Sequence, residues 1–319
     1  MDVFLNGKFL PANQARVPVD DAGFQHAVGL FETMAVYHGQ VFRLDQHLAR
    51  LADSAKQLGL TPKLETDPLA EAVRKTIAHN KIDRARLRLT LTAGSLSLLK
   101  PDQTKTPMPT LLIVPSEPTV YAPDYFEKGI MVLVAPPAAN PFDQLAGHKT
   151  LSYWARLRTL RQAASAGAGE AIWMSVSNHL ASGAVSNLFL VKNDSLLTPI
   201  ARGEEAKGAL PAPVLPGITR AAVLERAEVM NIPVQKQMLS VNDLLEADEV
   251  FLTNASWHVL PVTQVEKKQI GEGKVGPVTT KLREALLAKI EEETTSCPSA
   301  RPLQWAGTPH AHPPPTEVG

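Results

Sequence analysis

The chain has 319 residues, 44% of them apolar and 20% charged. That length suits two domains, or one large domain with extensions, around a substantial buried interior. Lys and Arg balance Asp and Glu at 32 each, so no global field favours nucleic acid or an anionic membrane, and a small-molecule partner is expected.

Residues 2–10 (DVFLNGKFL) set two short apolar runs around Asn6-Gly7, a dipeptide that favours a tight hairpin. Over 43–60, Leu44, Leu48, Leu51, Ala55 and Leu58 recur at spacings of three and four, with Asp45 in the first turn and Gly59 beyond the end, which predicts an amphipathic helix. A second helix is expected over 67–80. Residues 84–93 (RARLRLTLTA) then alternate as a half-buried strand does. TLLIVP at 110–115 reads as a buried strand, and the proline-bearing connector at 116–126 as the boundary between domains 1–118 and 119–295.

Beyond GIMVLVAPP, a further strand, helices are expected near 151–166, 218–230 and 277–293, with strands near 170–176, 187–192 and 248–253. Strands and helices mix without regular alternation. Residues 296–319 are rich in Pro, Ser and Gly and read as a disordered tail. That tail holds His310, His312 and the single cysteine, Cys297, so neither a disulfide nor a metal site is expected, and a reducing compartment fits. With no basic start followed by an apolar core, and no run near about 18 uninterrupted apolar residues, the expected location is cytosolic.

Three features can carry chemistry. Lys149, in AGHKTLSYW, stands between a loop and a helix, where a lysine is either a solvated charge or, if burial lowers its pKa, a nucleophilic amine. LPGITRAAVLERA at 215–227 opens a helix at Ile218 and Thr219, whose free amides and positive dipole end suit a phosphate as readily as an ordinary cap. VFLTNAS at 250–256 runs from a strand into small polar residues, as a turn or as a second set of donors. Dinucleotide, Walker, nucleophile-elbow and HExxH signatures are missing from the sequence.

Seven segments in order, DDAGFQHAVGLFET, VFRLDQHLARLADSAKQLGL, RLRLTLTAG, GHKTLSYW, SGAVSNLFLVKNDSLLTP, LPGITRAAVLERA and ADEVFLTNASWHVLPV, resemble the class IV (fold type IV) aminotransferases from about residue 2 to residue 293. IGEGKVGPVTTKLREAL further resembles the branched-chain amino acid members. The resemblance implies an α+β fold, with a small N-terminal α/β sandwich-like domain and a larger C-terminal domain built on a barrel-like sheet. It implies pyridoxal 5'-phosphate as cofactor, held by a Schiff base on Lys149, and a homodimer or higher homo-oligomer. Arg50, Gly217, Ile218, Thr219, Thr253 and Asn254 match positions that bind the cofactor phosphate, and Leu215 the position that packs on its ring. His26, Arg86, Arg88 and Ala255 match the substrate side.

Two departures stand out. Ser182 occupies the position of the family's glutamate partner to the pyridine nitrogen, and a neutral hydroxyl cannot hold a proton there as a carboxylate does. Glu170, one strand earlier, is not expected to substitute. The segment at 22–28 has lost the family's usual arginine and tyrosine. The implied activity is transamination from an amino acid, a branched-chain L-amino acid for preference, to a 2-oxo acid. The alternatives are pyruvate-releasing elimination, as in aminodeoxychorismate lyases, and a relative that has lost catalysis.

Overall fold

The computed structural model describes residues 1–61, 63–95, 109–136 and 138–295. The expected tail, with Cys297, His310 and His312, lies outside them. The first half contains β1 (Asp2–Leu5), β2 (Lys8–Pro11), α1 (Ala22–His26), β3 (Gly29–Tyr37), β4 (Gln40–Val41), α2 (Leu44–Gln57), α3 (Thr66–His79), β5 (Ala85–Thr92) and β6 (Leu111–Ser116). Asn6 and Gly7 both take positive φ, +46° and +87°, which closes the β1–β2 hairpin with Leu5 opposite Lys8. The six strands form one antiparallel sheet in the order β2-β1-β6-β5-β3-β4. Its inward residues Met34, Leu87, Leu89 and Ile113 pack with Leu48 and Leu51 of α2 and Val73 of α3, all essentially solvent-free.

The chain crosses to a second sheet between Ser116 and Ile130. There follow α4 (Asp124–Glu127), β7 (Ile130–Val134), α5 (Trp154–Ser165), β8 (Glu170–Met174), β9 (Leu180–Gly183), β10 (Asn187–Lys192), β11 (Ser195–Thr198), α6 (Ile218–Val229), β12 (Val234–Lys236), α7 (Val241–Leu245), β13 (Glu249–Asn254), β14 (His258–Val265), β15 (Lys268–Gln269) and α8 (Pro277–Thr295). This nine-stranded sheet is mixed, ordered β12-β11-β10-β13-β14-β7-β8-β9 with β15 on β14, and curls into a half-barrel. The α+β class expected from the sequence is the one observed. Phe189 and Phe251 stack at 4.9 Å beneath α6 and α8.

The two halves meet through backbone pairing. Phe31 N–H donates to the Lys149 carbonyl (3.0 Å) and Leu151 N–H to the Gly29 carbonyl (3.0 Å), so residues 149–151 lie antiparallel beside the start of β3. A Cβ on Gly29 would stand 2.7 Å from both the Leu91 carbonyl and the Leu151 side chain, which is why glycine begins β3.

Helix α8 starts on a buried carboxylate: Glu249 of β13 accepts from Val278 N–H (2.9 Å) and Thr279 N–H (2.7 Å), two amides with no helical acceptor. Glu249→Ala is expected to lower unfolding free energy by about 1–3 kcal/mol, read as a smaller urea midpoint at unchanged slope.

Candidate active site

A cavity of about 620 Å³ opens between the two sheets, a size suited to a small molecule. Lys149 stands in its wall. Its Nζ lies 4.4 Å from the centre of the Phe31 ring and 5.7 Å from that of Tyr153, and those rings meet edge to face at 5.1 Å. Burial drives the lysine pKa below its ordinary value; Tyr153 and Glu32 oppose the shift, and Arg50 and Arg88 add to it. A larger share of the amine is therefore neutral and nucleophilic at working pH.

Below the lysine, β3 carries a solvent-free carboxylate. Glu32 accepts from Arg50 Nε (2.9 Å) and Nη2 (2.6 Å) and from His47 Nδ1 (2.8 Å), both partners coming from α2. Burial alone would raise the Glu32 pKa, but the Arg50 charge and then His47 more than offset it, holding Glu32 at about 2. Burial keeps His47 below the usual histidine range, so it serves as a neutral donor. Arg50 also donates through Nη1 to the Pro216 carbonyl (2.9 Å), which docks α2 on the turn before α6.

That turn suits a phosphate. Gly217 is the N-cap of α6 without a side-chain cap, and the first helical bond runs from Ala221 N–H to the Gly217 carbonyl, so the amides of Ile218, Thr219 and Arg220 have no helical acceptor. A Cβ at Gly217 would stand 2.0 Å from Asn187 Oδ1, so the close turn needs glycine. Opposite, the Thr253 hydroxyl is buried without a hydrogen-bond partner. An orphaned hydroxyl, uncapped amides and a cation in one cavity, beside a desolvated amine, fit a group bearing a phosphate and an aldehyde such as pyridoxal 5'-phosphate.

Two further walls carry cations. Arg88 of β5 lies with Cζ 3.7 Å above the Phe31 ring and, among the described residues, has no carboxylate partner; Arg86 shares its strand face and donates to Ser116 Oγ (3.4 Å). On the other side, Arg156 of α5 approaches Ser182 of β9.

Lys149, Arg50, Ser182, Leu215, Gly217, Ile218, Thr219, Thr253, Asn254, Ala255, Arg86 and Arg88 all line the cavity. His26 does not. It is exposed in the last turn of α1, away from the residues that line the cavity in this chain. Two roles are also refined. All three nitrogens of Arg50 already donate, Nε and Nη2 to Glu32 and Nη1 to the Pro216 carbonyl, so only one N–H bond on each of Nη1 and Nη2 is open to a ligand. The Asn254 side chain accepts from Ser256 N–H (2.8 Å) and Trp257 N–H (3.1 Å), so it shapes the turn rather than pointing a donor outward. Sequence reasoning missed Glu32, His47, Tyr153 and Arg156; a glutamate directly after the apolar pair Leu30-Phe31 was the one visible sign.

Residues 29–265 match the family model described as amino-transferase class IV, and the chain belongs to that enzyme family. A Methanocaldococcus jannaschii protein named putative branched-chain-amino-acid aminotransferase is 32% identical over 286 residues, 89% of this chain and 94% of its own. Among solved structures, the branched-chain amino acid aminotransferase of Escherichia coli superposes with a TM-score of 0.81 at 29% identity, covering 90% of this chain and 93% of that one. The 4-amino-4-deoxychorismate lyase of Pseudomonas aeruginosa superposes with a TM-score of 0.77 at 28% identity, over 90% and 98%. These likenesses make the fold that of the fold type IV enzymes.

Glu32→Gln removes the ionic partner of Arg50 and is expected to cost about 3–5 kcal/mol at neutral pH. Because folding depresses the Glu32 pKa from 4.5 to about 2, the wild-type advantage is complete above about 4.5 and disappears as pH falls through about 2. Urea unfolding of both proteins against pH checks the sign; a difference constant down to the lowest pH contradicts it.

Proposed function

We propose that the protein is a pyridoxal-phosphate-dependent transaminase that moves an amino group from an amino acid, for preference a branched-chain L-amino acid, to a 2-oxo acid, with Lys149 as the covalent anchor and proton carrier. The observation that carries this reading is the desolvated Lys149 amine sharing one cavity with the uncapped start of α6, Arg50 and the orphaned Thr253 hydroxyl. When bound, the cofactor supplies an aldehyde that condenses with amines and a ring that withdraws electrons from the substrate carbon.

The chain's own residues do the rest. The amides of Ile218 and Thr219 and the remaining N–H bonds of Arg50 Nη1 and Nη2 hold a phosphate. Lys149 Nζ, its pKa lowered by burial, takes a proton from the substrate carbon in its neutral form and gives it back at another atom of the substrate. Arg88, desolvated and without a carboxylate of its own among the described residues, orients a substrate carboxylate. Phe31, Leu151, Tyr153 and Trp257 line the same space with apolar surface, which limits water and accepts an aliphatic side chain. Support for the branched-chain preference comes from the relatives' names and from the GEGKVGPVT segment. A homo-oligomer and a cytosolic location belong to the same proposal; among the described residues no helix is long and apolar enough to cross a membrane.

Elimination releasing pyruvate is the second reading, favoured by Ser182 in place of a carboxylate and by the likeness to the lyase. Spectral titration with single amino acids, L-leucine and D-alanine first, separates the two. Bleaching of the yellow band with appearance of an oxo acid supports transfer, and pyruvate without an acceptor supports elimination; a band that survives the whole panel contradicts both.

Lys149→Ala is expected to abolish the band and turnover together; retention of both sinks the assignment of the anchor. Arg88→Leu is expected to lower kcat/KM by roughly 30-fold, the factor for losing about 2 kcal/mol of a charged contact, chiefly through KM. An unchanged KM for every carboxylate substrate would remove Arg88 from substrate binding.

A further inference from the structure

The guanidinium of Arg156 is the least explained cation in the cavity. From α5, its Nη1 donates to the Gly183 carbonyl (3.2 Å), the Ala184 carbonyl (3.1 Å) and Ser182 Oγ (3.4 Å), and its Cζ lies 4.7 Å from the centre of the Trp173 ring. Two carbonyls and an indole face make a built seat for a cation, and no carboxylate pairs with it among the described residues. Arg156 and Ser182 both line the cavity, on a wall formed by α5 and β9 rather than by the phosphate-type donors of α2, α6 and β13.

The other titratable groups around this wall are Glu170 of β8 and, from the segment before α5, Lys149 and Tyr153. Glu170 does not neutralise Arg156. Its oxygens accept from the amides of Ala171 (2.9 Å), Ala184 (3.2 Å) and Val185 (3.1 Å) and from Ser186 Oγ (3.0 Å). It sits on the Gly183 side of β9, where an added Cβ would meet it at 2.9 Å, whereas Ser182 pairs with Trp173.

A serine hydroxyl that accepts from a guanidinium keeps its own proton to give. We propose that Ser182 and Arg156 act together as a cationic donor pair toward the ring nitrogen of the bound cofactor, keeping that nitrogen unprotonated and accepting a hydrogen bond. A protonated ring nitrogen would be a second cation beside Arg156, and it would meet the proton of the Ser182 hydroxyl where it needs an acceptor. The inference rests on the pyridoxal-phosphate reading. It adds that replacing Ser182 by a carboxylate alone does not create a pyridinium, because Arg156 pairs with the new charge.

The test is the nitrogen chemical shift of holoprotein reconstituted with ring-15N pyridoxal phosphate. The wild-type resonance is expected at the neutral-pyridine position across the neutral pH range, Ser182→Glu should leave it largely there, and Ser182→Glu with Arg156→Gln should move it upfield to the pyridinium position. A pyridinium resonance in the wild type overturns the proposal while leaving the cofactor reading intact. Full protonation in Ser182→Glu alone overturns the role of Arg156. Failure of the wild-type protein to take up the cofactor removes the reading on which both rest.

Discussion

Glu32 is the charge on which the site depends. It is buried on a central strand, and such a group persists only because Arg50 and His47 reach it from α2 with three hydrogen bonds. The same Arg50 grips the Pro216 carbonyl, so one carboxylate fixes α2 against the first sheet and draws the start of α6 toward it. One residue earlier, Phe31 pairs its amide with the Lys149 carbonyl, so the strand that carries the buried charge also sets the height of the lysine. Sheet register and electrostatics specify one geometry.

Within that frame the cavity holds far more positive than negative charge. Arg50 is paired, Lys149 is desolvated toward neutrality, and Arg88 and Arg156 face the cavity without carboxylates among the described residues. A cavity of this kind favours anionic over cationic ligands. Arg156 sets a further feature, a wall that repels positive charge where a carboxylate would invite it, and this is where the chain differs most in chemistry from the resemblance that its sequence carries.

Much of this was legible beforehand. Alternation in RARLRLTLTA and the three-and-four spacing of Leu44, Leu48 and Leu51 mark β5 and α2 to within a residue or two, because one face of each packs on a core. Lys149 and the Pro216-Gly217 start of α6 carry local signals that the fold preserves. Glu32 was not legible, because the charges that make its burial possible lie 15 and 18 residues away on another element. Arg156 on α5 was not legible either, because the carbonyls that seat it, Gly183 and Ala184, lie 27 and 28 residues away at the end of β9 and just beyond it. His26 is neither a core histidine nor part of the cavity wall in this chain, because α1 ends in an exposed turn.

The central claim is that Lys149 alone anchors the cofactor. Borohydride reduction of the protein loaded with pyridoxal phosphate, followed by mass mapping of its peptides, tests this most directly. The account predicts one cofactor mass per chain, confined to the peptide that contains Lys149. Label on another lysine, or a loaded protein that reduction leaves unlabelled, would contradict it.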